Sequence, residues 1–158
     1  MMTVRIYDQT EGVLSLDLRD LLHLLGPRAL QATWVVSPVK LSYSTPDHID
    51  FIEDTFEATG QGRDQLEEYA RNRSLVSGAV LSDLAKTTVQ VIWGEFTAYF
   101  PTQEKLWVAI RAIDSTFFEV STEDTMVIDR IKATYRDVRV ARDQFGSRPI
   151  PDLPENDQ

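Results

Sequence analysis

The run Leu106-Trp107-Val108-Ala109-Ile110-Arg111-Ala112-Ile113 carries apolar side chains at both odd and even positions. A strand sends successive side chains to opposite faces, so such a run belongs at the centre of a sheet covered on both sides. A central strand demands neighbours, and the flanking sequence supplies them. In Thr88-Val89-Gln90-Val91-Ile92-Trp93 the apolar residues first take odd positions, whereas in Phe96, Ala98 and Phe100 they take even ones. A period of two that slips by one residue predicts a β-bulge, placed here at Gly94. Pro101-Thr102-Gln103-Glu104 and Asp114-Ser115-Thr116 read as turns, and Phe117-Phe118-Glu119-Val120 as the next strand. Together these runs predict an antiparallel meander.

A helix is expected next. Ser121-Thr122-Glu123-Asp124 offers oxygens to the free N–H groups of a helix start, and its acids suit the positive end of the helix dipole. Val127, Ile128, Ile131 and Tyr135 form an apolar stripe, with Arg130, Lys132 and Arg136 in the later turns. Asp137-Val138-Arg139-Val140 then alternates, which predicts a strand returning to the sheet in a β-α-β closure.

In the first half, Val4-Arg5-Ile6-Tyr7 and Val13-Leu14-Ser15-Leu16 flank Asp8-Gln9-Thr10-Glu11-Gly12 and predict an opening hairpin. Asp17 is placed to cap a helix bearing Leu18, Leu21, Leu22 and Leu25, which Gly26-Pro27 ends. His23 falls away from that stripe and reads as a solvated histidine rather than a catalytic one. Residues 30–36 and 39–43 read as strand, interrupted by Ser37-Pro38. Thr45-Pro46-Asp47 combines a cap, a first-turn proline and an early acid, predicting a helix over 46–59 that stops at Gly60-Gln61-Gly62. A second helix is expected over 64–72, with Leu66, Tyr69 and Ala70 on one face. A third is expected over 77–86 from the spacing of Val76, Val80 and Leu84, with Gly78 counting against it. Beyond Ala141 the pattern stops. Prolines 149, 151 and 154 predict a disordered, Pro-rich acidic tail over 142–158, or alternatively a polyproline-type ligand.

The expected fold is therefore a single α+β domain over 1–141. It would have a mostly antiparallel sheet, helices packed on one side and a C-terminal β-α-β closure, and 158 residues suit one core.

Composition narrows function mainly by exclusion. The absence of cysteine removes disulfides, thiolate metal sites and a cysteine nucleophile, and fits a reducing cytosol. Two histidines, His23 and His48, are too few for a histidine-rich metal site. Neither end reads as a targeting segment, and no run approaches the roughly 18 apolar residues of a membrane helix. A net charge of −9 opposes generic nucleic-acid binding and favours a basic partner. There is no G-x-S-x-G, no P-loop and no G-x-G-x-x-G. Asp47-His48-Ile49-Asp50 is not a specific metal motif, and carboxylates along a helix cannot wrap a calcium ion.

The feature that needs explaining is Asp50, Glu53, Asp54 and Glu57, at i, i+3, i+4 and i+7 of the expected helix, beside Ile49, Ile52 and Phe56. Like charges at that spacing cost a few tenths of a kcal/mol per pair, and Glu57 sits at the wrong end of the dipole. Such a stripe is either a solvated face or a surface for a cationic partner. Residues 47–68 hold eight acids against Arg63, a balance of −7, and residues 130–142 hold five bases against Asp137, a balance of +4. These two segments could instead neutralise each other inside the fold. Trp93, Tyr99, Trp107 and Phe96, Phe100, Phe117, Phe118 make an aromatic-rich sheet, for core packing or for a ligand platform.

The leading expectation is a non-enzymatic cytoplasmic protein-binding domain of the immunity or antitoxin type. In this reading Asp50, Glu53, Asp54 and Glu57 meet a basic protein such as a toxin, without cofactor, metal, nucleic acid or membrane. One alternative is a small hydrolase-like enzyme using carboxylates in a pocket on the sheet, with Asp114 and Glu119 the first pair to inspect. A structural subunit of a larger assembly is the other.

Overall fold

The computed structural model describes residues 1–44, 50–101 and 103–142. In chain order these form β1 (Met2–Ile6), β2 (Gln9–Thr10), β3 (Val13–Leu14), α1 (Leu18–Leu25), α2 (Pro27–Gln31), β4 (Thr33–Ser37), β5 (Val39–Ser44), β6 (Asp50–Thr55), β7 (Glu57–Gly60), α3 (Arg63–Asn72), β8 (Leu75–Ser77), α4 (Gly78–Thr87), β9 (Thr88–Phe100), β10 (Gln103–Ile113), β11 (Phe117–Thr122), α5 (Thr125–Thr134) and β12 (Val138–Ala141). The main sheet has the order β12-β1-β11-β10-β9-β4-β8, with β7 also pairing with β9. Every described pairing is antiparallel. The chain is a single α+β domain, as expected.

The meander is β9-β10-β11, and the apolar run of β10 is its central strand, with every residue of 107–113 buried. Its tight turn places Asp114 at φ 51° and Ser115 at φ 56°, and the Thr116 N–H donates to the Ile113 carbonyl at 2.9 Å. Two successive positive φ values mark the type I′ geometry, whose twist matches that of the flanking strands. The closure is also present. β11 and β12 each run antiparallel to β1, which lies between them, so the two are parallel to each other and joined through α5. Ser121 and Thr122 remain in β11, and the helix starts at Thr125 with Asp124 as its cap, accepting from the Met126 N–H at 3.0 Å.

All five helices bury residues in one cluster that also holds Val4, Ile6, Trp34, Val36, Phe96, Ala98, Ile110, Ala112, Phe118 and Val120. One face of the sheet therefore carries every described helix, with each fully buried Leu or Ile worth on the order of 1.5–3 kcal/mol. α1 shows how sequence sets such a piece. Leu18, Leu21, Leu22 and Leu25 face the core, Asp17 and Asp20 form a reciprocal cap, and Gly26 ends the helix at φ 74°. The Asp17 carboxylate also accepts from the Val91 N–H at 3.0 Å, which fastens the helix start to β9.

Several expectations are corrected. The helix over 46–59 is absent from its described part. Residues 50–55 are β6, in register with β5 from Ser44↔Asp50 to Val39↔Thr55, and residues 57–60 are β7, paired with β9. Residues 45–49, which carry the expected helix start, lie outside the described residues. Phe51, Ile52, Thr55, Phe56 and Thr59 favour a pleated surface, the like-charge spacing works against a helix, and the strand register sets Lys40 opposite Asp54. The opening hairpin is only β2-β3, turned at Glu11 and Gly12. β1 instead inserts between β11 and β12, where Val4 and Ile6 are wholly buried. Residues 27–31 are helical, started by Pro27, so β4 begins only at Thr33.

α4 buries Gly78, Leu81 and Ala85 and leaves Val80 exposed. A Cβ at Gly78 would lie 2.0 Å from the Ala29 carbonyl oxygen, so this glycine sets the contact between α4 and α2. The phase slip in β9 is real but sits earlier than Gly94. Pairing with β10 runs unbroken from Trp93 to Ala98, whereas on the other edge Glu57 and Ala58 face Trp93 and Val91, leaving Ile92 as the extra residue. Gly94 serves packing instead, since a Cβ there would lie 2.8 Å from Phe56 Cε2.

Candidate functional site

The face opposite the helices holds the buried charged side chains among the described residues. Arg139, Arg5, Glu119, Arg111, Glu95 and Ser37 stand directly opposite one another across β12, β1, β11, β10, β9 and β4. Arg5 Nε donates to Glu119 Oε2 at 3.0 Å. Arg111 Nη1 donates to Glu119 Oε1 at 3.0 Å and Arg111 Nε to Glu95 Oε1 at 2.7 Å. Ser37 Oγ donates to Glu95 Oε2 at 3.0 Å. All four oxygens of the two glutamates thus accept a bond. Such satisfaction is what a buried charge requires, because desolvation costs several kcal/mol per ion when it is unmatched.

The rows on either side differ in chemistry. One holds Thr3, Ser121, Ala109, Thr97 and Val35, with the Thr3 and Ser121 hydroxyls 2.8 Å apart. The other holds Phe117, Ile113 and Trp93, with Tyr7 stacked on Phe117 at 4.9 Å. Val39, the first residue of β5, packs on Ile113 and Phe117, so the β5-β6 pair leaves the sheet from this face. The aromatics therefore divide. Phe96 and Phe118 belong to the helix-side core, whereas Trp93 and Phe117 border the charged row.

Sequence reasoning missed this row, although a signal existed. Glu95, Arg111 and Glu119 are each a lone charge within a run of uncharged residues, Val89–Phe100, Leu106–Ile113 and Phe117–Thr122, in one meander. The expected pair, Asp114 and Glu119, is not brought together as a site. Asp114 lies in the exposed turn, and Glu119 is taken up by Arg5 and Arg111. His23 is exposed on α1. Among the described residues no three His, Asp or Glu side chains converge to hold a metal ion, and no helix there is long and apolar enough to cross a membrane.

The four acids expected to meet a partner lie on two successive strands rather than on one helical stripe. Asp50, Glu53 and Asp54 fall within β6, while Glu57 begins β7. Asp54 pairs with Arg73 at 3.4 Å, with both side chains about half exposed. α3 packs on β4 and β7 and adds Asp64, Glu67 and Glu68 to the same end of the molecule. The basic segment lies at the opposite end. β12 is five strand steps from β7 through β1, β11, β10 and β9, or about 24 Å at roughly 4.8 Å per step. Arg139 turns to its own neighbour Asp137, at 2.9 and 3.1 Å. The two charged segments therefore do not neutralise each other.

Beside α1 a cleft is lined by Ser15, Asp20, His23, Arg130 and Tyr135, among others. Burial, then the negative charges of Asp20 and Asp8, push the Tyr135 hydroxyl up to about 12. With the geometry established, comparison with known proteins adds no relative, since no family model, curated protein or solved structure matches the chain.

Proposed function

We propose that this chain is a non-enzymatic protein-binding domain whose acidic end, formed by β6, β7 and α3, meets a basic protein. The observation that supports this reading is the separation of charge. β7, within the segment 50–68 that carries seven acids against Arg63, lies five strand steps from the basic strand β12, about 24 Å and three times the screening length of about 8 Å at physiological ionic strength. Among the described residues no ion pair reaches Glu57, Glu67 or Glu68. Lys40 and Arg73 stand against Asp54, but the balance of this end stays acidic, and an acidic surface steers a cationic partner and repels anionic ones. An immunity- or antitoxin-type inhibitor of a basic toxin in the cytoplasm is the form of this reading that fits the size and charge.

The runner-up, a hydrolase-like enzyme, draws on Glu95 and Glu119, two carboxylates on one sheet face. Their saturation by Arg5, Arg111 and Ser37 favours a structural role instead.

The test is affinity capture from the native source, followed by association kinetics with the variant Asp54→Asn, Glu57→Gln, Glu67→Gln, Glu68→Gln. A stoichiometric basic protein should be captured, and the variant should associate at least several-fold more slowly, with the difference shrinking as salt rises. An unchanged association rate would overturn the reading.

A further inference from the structure

The row of charges ends at an open strand edge. β12 closes the path of the main sheet, β1 pairs with one side of it, and among the described residues no strand pairs with the other. The Tyr7 N–H donates to the Asp137 carbonyl at 2.9 Å, so residue 137 turns its backbone groups toward β1. Antiparallel alternation then gives residues 139 and 141 the same direction and sends the N–H and C=O of Val138 and Val140 outward. Open edges of this kind are usually guarded by a projecting charge, a proline or a bulge. Here the one charged side chain of the strand is drawn back. Arg139 lies with its guanidinium carbon 3.9 Å from the centre of the Tyr7 ring and holds Asp137, while the Val140 side chain is 63% exposed.

We infer that the outer edge of β12 is a strand-addition site for an extended, acidic segment of a partner protein. Backbone pairing would supply the affinity and charge the selectivity, as in other cases where a peptide extends a sheet. Arg5, Arg136, Arg139 and Arg142 stand against Asp8 and Asp137 around this edge, which leaves it basic, and the acidic end of the molecule is too distant to cancel them. At the edge of the row Arg139 faces Arg5, a like-charge pair that is unfavourable across strands. A carboxylate at the next strand position would give Arg139 an opposite charge across strands, as Glu119 does for Arg5. Beside this place Tyr7, Asp8, Gln9, Arg136, Asp137 and Arg139 line a cleft of about 390 Å³, open to the side chains of an added strand. This site is separate from the acidic end and stands or falls independently of it.

The experiment uses the full chain and two synthetic eight-residue peptides, one alternating valine and glutamate and one alternating valine and lysine, with amide exchange followed by NMR. The valine–glutamate peptide should slow exchange at Val138 and Val140 at least tenfold, and the valine–lysine peptide should not. Val140→Pro, which removes an outward N–H without touching the ladder to β1, should abolish the effect. Should that variant not fold, Arg136→Glu with Arg139→Glu keeps the backbone and should exchange the preference between the peptides. The inference is overturned by protection of both amides in the free protein, by equal effects of the two peptides, or by protection that maps elsewhere. No effect up to about 1 mM peptide would overturn it as well.

Discussion

Arg111 Nε lies 2.7 Å from Glu95 Oε1, and the two side chains are 2% and 0% exposed. They occupy adjacent strands at directly opposed positions, and Arg111 also reaches Glu119 from the same place. Removing the arginine alone would take a cation from two buried carboxylates at once, and Glu119 would keep only Arg5 among the cations of the row, a costly way to break such a network. Arg111→Met should therefore destabilise the protein by about 3–5 kcal/mol. The triple change Arg111→Met, Glu95→Gln, Glu119→Gln should recover part of that loss. Urea midpoints at fixed pH check both, and a triple variant less stable than the single would contradict the assignment of cost to uncompensated charge.

Two glycines should respond differently to alanine. A Cβ at Gly78 meets the backbone carbonyl of Ala29 at 2.0 Å, whereas one at Gly94 meets the Phe56 ring at 2.8 Å, and a ring can turn where a backbone cannot. Gly78→Ala should cost several kcal/mol despite the roughly 1 kcal/mol by which alanine favours a helix, and Gly94→Ala on the order of 1–3 kcal/mol. Pairing Gly94→Ala with Phe56→Leu should cost less than the sum of the two single changes. Melting temperatures of the four variants decide this.

Asp17 links capping to pH. Burial raises its carboxyl above 3.8, and the bonds from Val91 and Leu18 only partly offset that. A carboxyl with a raised folded pKa is bound more tightly by a proton in the folded state, so its ionised form detracts from stability at neutral pH. That loss is relieved as pH falls through the folded value toward 3.8. Asp17→Asn keeps an accepting oxygen and should be near neutral at pH 7, while Asp17→Ala should cost about 0.5–2 kcal/mol. The stability of the parent relative to Asp17→Asn should rise on acidification across that window. A difference that falls instead would refute the burial argument.

Tyr135 gives the alkaline counterpart. With its hydroxyl pushed from 10.0 up to about 12, the folded state favours the neutral phenol. Stability should then decline as pH rises from the unfolded value near 10 to the folded value. In a phenolate absorbance titration a step at about 12 should be present in the parent and lost in Tyr135→Phe. An unchanged titration in Tyr135→Phe would contradict the assignment.

Local pattern was enough for the elements that sequence alone determined. The meander, the capped helix at Leu18–Leu25 and the closure through β12 each rest on periodicity, turn residues and caps that act within a few positions. Residues 50–60 show the limit. Cap, proline and acid signals just before it argue for a helix, but strand partners outside the segment decided the outcome, β5 immediately before it for one half and β9 far along the chain for the other, because β propensity is realised only through pairing. The phase slip was legible in β9, yet its position at Ile92 depended on β7. The row from Arg139 to Ser37 was decided entirely by register. Each charge is visible in the sequence as an isolated residue, but a shift of one residue in any strand would turn it to the other face. Whether it meets a partner there is a property of six strands together.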